Sequence, residues 1–253
     1  MIQIEGLTKL FGDFAAVQDL ELHVRRGEVF GFLGPNGAGK TTTMKILVGL
    51  ARPTRGRVLV GGVDVVREPI RARQIVGYVP DRPYLYEKLT AREFLAFVAG
   101  LYGLRFPDLA ARAQELLELF DLKAWADELV ESYSHGMKQR LTMAAALLHR
   151  PELLVVDEPM IGLDPRGAVL VKSLLRRLAA DGRSTVFLST HTLEVAEELC
   201  DRVAILHRGR MIALGTLADL RAQVGDSGGR LEELFLRLTG GVDVGAVLEE
   251  FHL

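Results

Sequence analysis

The stretch EVFGFLGPNGAGKTTTMKILVGL, residues 28–50, decides the fold. EVFGFL is a nearly continuous apolar run, as in a parallel strand buried on both faces. The run stops at Gly34, a glycine-rich turn follows, and TTTMKILVGL continues as a helix. Gly34-Pro35-Asn36-Gly37-Ala38-Gly39-Lys40-Thr41 matches G-x-x-x-x-G-K-[ST] at every defined position, in the strand–turn–helix context that the pattern requires, and Thr42 completes GPNGAGKTT. Glycines let the turn tighten and let backbone N–H groups face phosphate oxygens. The helix N-terminus adds roughly half a positive charge. Lys40 is placed to reach the β- and γ-phosphates of a nucleoside triphosphate, and the Thr41 hydroxyl to ligate Mg²⁺. An ordinary glycine-rich loop would need neither this spacing nor this context.

Two further strand ends carry polar residues. LLVVDEP at 153–159 is an apolar strand that leaves Asp157 and Glu158 at its carboxyl end, where ligands of open α/β sheets sit. Asp157 would hold Mg²⁺, largely through its waters. Glu158 would polarise an attacking water as general base. A plain pair of surface acids competes with this reading until the phosphate loop is counted. STVFLST at 184–190 is another strand, and His191 follows it, placed to hydrogen-bond a γ-phosphate and orient the water. A lone histidine is more often structural; position at a neighbouring strand end favours function here.

SHGMKQR at 134–140 is ambiguous on residues alone. A serine and a glycine at a helix start make an anion site, and Ser134 would equally serve as a plain helix cap.

The rest of the chain reads as a strand–helix protein with an insertion. IQIEGL and LELHV alternate as half-buried strands, RPTRG and VGG at 52–62 signal a hairpin, and IVGYVP at 75–80 is a buried strand. Between 84 and 150 the pattern turns helical. Positions 113, 116, 117 and 120 follow amphipathic spacing, and Thr90 with Glu93 forms a capping box. Aromatics in PYLYEKLTAREFLAF are expected to be core for at least half of their number. After 151 strands and helices alternate again: a helix over 166–181, another in TLEVAEELCD, and a hairpin in VAILHRGRMIAL that turns at Arg208-Gly209. Residues 216–253 hold two short helical patterns around DSGGR.

Composition sets the bounds. The 253 residues are 49% apolar and 25% charged with net charge −2, so a general affinity for nucleic acid is not indicated. One cysteine, Cys200, excludes an internal disulfide and reads as a core thiol. No secretory leader is expected, and no apolar run approaches the ~20 residues a spanning helix needs.

Together these motifs resemble the ATP-binding subunit of ABC transporters over residues 1 to about 220. GPNGAGKTT is similar to that family's Walker A, LLVVDEP to its Walker B with the catalytic glutamate, and YSHGMKQR to its signature loop; Gly162-Leu163-Asp164 looks like the D-loop, His191 like the switch histidine, and Phe11 in KLFGDFAAV like the aromatic that stacks on adenine. The resemblance implies an α/β fold: a P-loop NTPase core with mixed sheet, an N-terminal antiparallel β subdomain and an inserted α-helical subdomain at about 82–150, with 221–253 as a short C-terminal helical extension. It implies ATP and Mg²⁺ as ligands and a head-to-tail homodimer, or a paired ATPase subunit. In that dimer Ser134 and Gly136 of one copy cover the γ-phosphate held by the other. It also implies an integral membrane permease as partner and a cytoplasmic place on the inner face of the membrane through that permease. The tail LEELFLRLTG resembles exporter-type subunits.

The chain departs from the family pattern at Asp81, usually Gln; at His135, commonly Gly; at Met137, commonly Gln; and at Phe11, commonly Tyr. Asp81 retains the ability to meet Mg²⁺. Two other readings stand beside a transporter ATPase. A soluble ABC-type ATPase acting on ribosome or DNA usually carries two linked nucleotide domains or a long coiled coil, neither of which this sequence has. A poorly hydrolysing regulatory module would not need both Glu158 and His191.

Overall fold

The computed structural model describes residues 1–104, 108–223 and 235. Strands β1 (Ile2–Phe11) and β2 (Phe14–Val24) form an antiparallel hairpin whose two-residue turn is Gly12-Asp13. Strand β3 (Val29–Leu33) is buried along its whole length and runs into helix α1 (Lys40–Leu47). The hairpin signalled by RPTRG and VGG is β4 (Arg55–Val60) with β5 (Val63–Asp64). It extends the first hairpin into a four-stranded sheet of order β2-β1-β4-β5.

A short helix, α2 (Pro69–Gln74), escaped the sequence pattern because it is brief; Pro69 fits its first turn, where no N–H is needed. Strand β6 (Val76–Val79) then leads to the helical block: α3 (Ala91–Leu101), α4 (Asp108–Leu119) and α5 (His135–Leu147). The Thr90–Glu93 capping box is present in both directions. Ala113, Leu116, Leu117 and Phe120 are buried, as their spacing predicts, and pack with Phe94, Leu95 and Leu141.

The second half completes the main sheet with β7 (Leu153–Asp157), α6 (Pro165–Ala180), β8 (Thr185–Thr190), α7 (Leu193–Leu199), β9 (Arg202–His207), β10 (Arg210–Gly215) and α8 (Leu217–Gln223). Its order is β10-β9-β3-β8-β7-β6. Strands β9, β3, β8, β7 and β6 are parallel, and β10 is the antiparallel edge, so the sheet is mixed. The β9–β10 turn is Arg208-Gly209 with φ of 48° and 77°, the backbone of a type I′ hairpin. The second helical pattern of the tail and DSGGR lie outside the described residues.

The two sheets share a core. Phe30 stacks on Phe187 at 5.7 Å between ring centroids, and Phe32 tilts against the same ring at 5.1 Å. On the opposite face of β3, Gly31 meets the Cys200 thiol. A Cβ there would lie 2.7 Å from Cys200 Sγ and 2.9 Å from Val203 Cγ1. Burial pushes the thiol pKa up to about 12, as befits the core thiol read from sequence.

One expectation fails. Of the four aromatics in PYLYEKLTAREFLAF, only Phe94 is buried; Tyr84, Tyr86 and Phe97 are exposed. Tyr84 and Tyr86 precede α3, and Phe97 lies on its outer face; the buried stripe of α3 is Ala91, Phe94, Leu95 and Ala99. Tyr86 and Phe97 instead meet edge to face at 5.1 Å on the outside of the block.

Replacing Gly31 with alanine should lower unfolding free energy by about 1–3 kcal/mol, through overpacking against Cys200 and Val203. Urea denaturation measures it, and adding Cys200→Ala should recover part of the loss.

Candidate active site

The phosphate loop is shaped by close backbone approach. Gly34 (φ 157°) would place a Cβ 2.5 Å from Leu206 O, and Gly39 (φ 106°) one 2.4 Å from Ala16 O. Side chains at either position would push the loop off β9 and β2. The β9–β10 hairpin tip braces the loop from below: Gly209 N–H donates to Ala38 O at 3.0 Å, and Gln18 N–H to Gly209 O at 2.7 Å. Helix α1 begins at Lys40, so its first N–H groups open toward the loop. The Lys40 ammonium donates to Gly34 O (2.6 Å) and Pro35 O (3.2 Å).

The parallel register brings the acids to the same edge. Asp157 pairs in register with Ser189, and Leu33 with Thr190, so three strands end together. Asp157 is 2% exposed and accepts hydrogen bonds from Ser189 Oγ and from Thr41 Oγ1, the latter at 3.2 Å. Desolvation raises its pKa, the two hydroxyls and Lys40 oppose that, and Asp81 adds to it. Desolvation likewise lowers the Lys40 pKa, against the attraction of Glu158 and Asp157. Both partners thus shift toward neutrality, so burial outweighs their mutual attraction.

Glu158 holds a left-handed backbone (φ 51°), a conformation that costs a non-glycine residue roughly 1–3 kcal/mol and tends to cluster at functional sites. Its N–H donates to Ser189 O at 3.1 Å, and its carboxylate meets His191 Nδ1 at 2.8 Å. The turn aims the side chain away from the strand line and onto the histidine.

Phe11, Asn36, Gly37, Gly39, Lys40, Thr41, Thr42, Asp81, Asp157, Glu158 and His191 line one cavity of about 440 Å³. Gly34, Pro35 and Ala38 shape the loop beneath without lining that space. Phe14, Ala16 and Ile161 line it as well, although the sequence reading passed over them. Phe14 is the Cα partner of Phe11 across the Gly12-Asp13 turn, and both rings are more than half exposed. A second large aromatic at a hairpin tip beyond the core was the signal to be read. Ser134 and Gly136 are absent from this cavity's lining. Ser134 caps α5, its Oγ accepting from Met137 N–H at 3.2 Å, so the cap reading is satisfied within the chain.

Oxygen donors from Thr41, Asp157 and Asp81 suit a hard cation such as Mg²⁺. Among the described residues no three His, Cys, Asp or Glu cluster to hold a metal alone.

Because the folded protein binds a proton at Asp157 more readily than the unfolded chain, stability falls as pH rises from the ordinary carboxylate value through the raised one. Asp157→Asn removes that penalty. The urea midpoint of the nucleotide-free protein at neutral pH should rise, while hydrolysis is lost; a lowered midpoint would contradict the assignment of strain to this carboxylate.

A family model described as ABC transporter matches residues 17–161. The chain is 40% identical over 225 residues to the linearmycin resistance ATP-binding protein LnrL of Bacillus subtilis (strain 168), spanning 89% of this chain and 72% of that protein. It is 45% identical over 224 residues to the daunorubicin resistance ATP-binding protein DrrA3 of Streptomyces coeruleorubidus, spanning 88% and 71%. A solved ATP-binding subunit of an ABC transporter superposes with TM-score 0.89 at 36% identity, over 94% of this chain and 99% of the other. A dimeric ATP-binding cassette in a post-hydrolysis state bound to ADP and Pi gives TM-score 0.79 at 26% identity, over 86% and 99%. The chain therefore belongs to the ABC transporter family, as an ATP-binding subunit that hydrolyses ATP to power a membrane transporter.

Proposed function

We propose that two copies of this chain close head to tail around two Mg²⁺-bound ATP molecules, and that the work drives export through a separate permease. The observation that carries the reading is a division of the phosphate chemistry. Lys40, Thr41, Asp157, Glu158 and His191 share one cavity, while Ser134 and Gly136 lie at the tip of α5 outside its lining. A serine–glycine helix tip left out of its own chain's site is explained if it serves the site of a second copy. The dimeric, ADP- and Pi-bound relative supports the pairing of two copies.

Each residue then has a task. Backbone N–H groups of Asn36 to Gly39 and the start of α1 receive the β-phosphate, and Lys40 exchanges the carbonyls of Gly34 and Pro35 for phosphate oxygens. Phe11 stacks on adenine, with Phe14 beside it. Thr41, Asp157 and Asp81 would hold a Mg²⁺, which would supply positive charge against the transferred phosphoryl group. Glu158 takes a proton from the attacking water. His191, whose Nδ1 meets the Glu158 carboxylate, is placed to present Nε2 to the γ-phosphate.

We take residues 1–220 as the ATPase domain, with the helices between β6 and β7 as its inserted subdomain. The exposed Tyr84, Tyr86 and Phe97 on that insert offer a surface for the permease. No helix among the described residues is long and apolar enough to cross a membrane. Relatives named for resistance to linearmycin and daunorubicin support outward transport of antibiotic-like small molecules.

Glu158→Gln should lower turnover by roughly 10²–10⁴-fold, the size of a general-base contribution, and accumulate an ATP-bound dimer in sedimentation velocity. A variant that stays monomeric with saturating ATP would overturn the two-copy arrangement.

A further inference from the structure

The tip of α5 and the loop after Glu158 are one packed unit. The His135 ring lies directly over Gly162: a Cβ on Gly162 would sit 1.9 Å from His135 Cδ2 and 2.6 Å from Nε2. Beside it, a Cβ on Gly136 would fall 2.8 Å from Gly162 O. Gly162 has φ of 77°, so steric room and backbone both demand glycine there. Met137 on one side, and Met160 and Leu163 on the other, pack against the same hydrophobic core.

The loop under His135 is short and braced at both ends. It leaves Glu158, whose N–H is tied to Ser189 O, and turns at once, Ile161 N–H donating to Glu158 O at 3.2 Å and Leu163 N–H to Met160 O at 3.3 Å. It ends at Asp164, whose carboxylate caps α6 by accepting from Gly167 N–H at 2.8 Å. A displacement of Gly162 therefore has little slack to absorb it before it reaches the Glu158 backbone, which already occupies a left-handed conformation.

We infer that His135 is a positioning residue that joins the two sites each subunit serves. Its ring transmits the seating of the Ser134–Gly136 tip on one nucleotide to the water-activating Glu158 at the other, by pressing on Gly162. The inference rests on the two-copy reading above. His135 does not line the nucleotide cavity, so its removal should leave the affinity of a single subunit for nucleotide alone.

The test is a KM-against-kcat split with a steric rescue. His135→Gly should leave the binding of a fluorescent ATP analogue to the monomer unchanged and lower kcat by roughly 3- to 30-fold, the range typical of coupling residues that touch neither ligand. Gly162→Ala should lower kcat further, because its methyl collides with the ring. The double variant Gly162→Ala/His135→Gly should regain the share of that loss owed to the collision, while the share owed to the positive φ at 162 stays. An unchanged kcat in His135→Gly, or a double variant no better than Gly162→Ala, overturns the proposal. A lower kcat explained by a reduced folded fraction in thermal unfolding also overturns it. Adding Glu158→Gln separates the two levels of inference. If that variant forms an ATP-bound dimer with and without His135 while kcat of His135→Gly is unaltered, only the positioning role fails. If it forms no dimer even with His135 present, the two-copy reading fails and takes this role with it.

Discussion

The site depends on the common endpoint of three parallel strands. Hydrogen bonding fixes the register of β3, β8 and β7, and that register delivers the phosphate loop, His191 and the Asp157–Glu158 pair to one edge. The arrangement has a cost. Asp157 is driven into a nearly dry position, and Lys40 is partly stripped of water beside it. Ser189 and Thr41 hydroxyls offset part of this for the carboxylate, and the loop carbonyls of Gly34 and Pro35 do so for the ammonium. A triphosphate with its cation would add opposite charge to what Lys40, Asp157 and Glu158 already give one another. Its binding energy is therefore drawn partly from relief of desolvation already present in the free protein.

Much of this was legible because the deciding signals are local. EVFGFL runs apolar and stops at a glycine turn; Asp157, Glu158 and His191 follow apolar strands directly; Arg208-Gly209 is a two-residue turn between strands. Each needs only a few adjacent residues to be read. What escaped depends on tertiary placement. Phe14 lines the cavity because a hairpin tip projects past the core, and Ile161 because the loop after Glu158 folds back. Burial of the aromatics near 84–97 was misjudged for the same reason: spacing identifies the helix but not how much of its surface the rest of the block covers.

The helical tip at Ser134 illustrates a signal that residues leave open and geometry sharpens. On sequence it is equally a cap and an anion site. In the fold it is a satisfied cap, and it stands outside the cavity that Lys40, Thr41 and Glu158 share. A cap at the start of a helix does not use up the N–H groups of the first turn, so the cap does not bar an anion site there. His135, a departure from the family pattern on sequence, becomes the contact between that tip and the loop leaving Glu158.

If two copies pair head to tail, each nucleotide is completed by residues from two chains. Subunit complementation tests it most directly. Lys40→Ala and Ser134→Arg each disable both sites of their own homodimer. A mixed dimer carries both lesions in one site and none in the other. Mixing the two inactive proteins in equal amounts should restore ATPase activity, to about a quarter of the native rate if subunits pair at random and sites act independently. No activity above the sum of the two separate proteins, with mixed dimers demonstrated, would contradict the account.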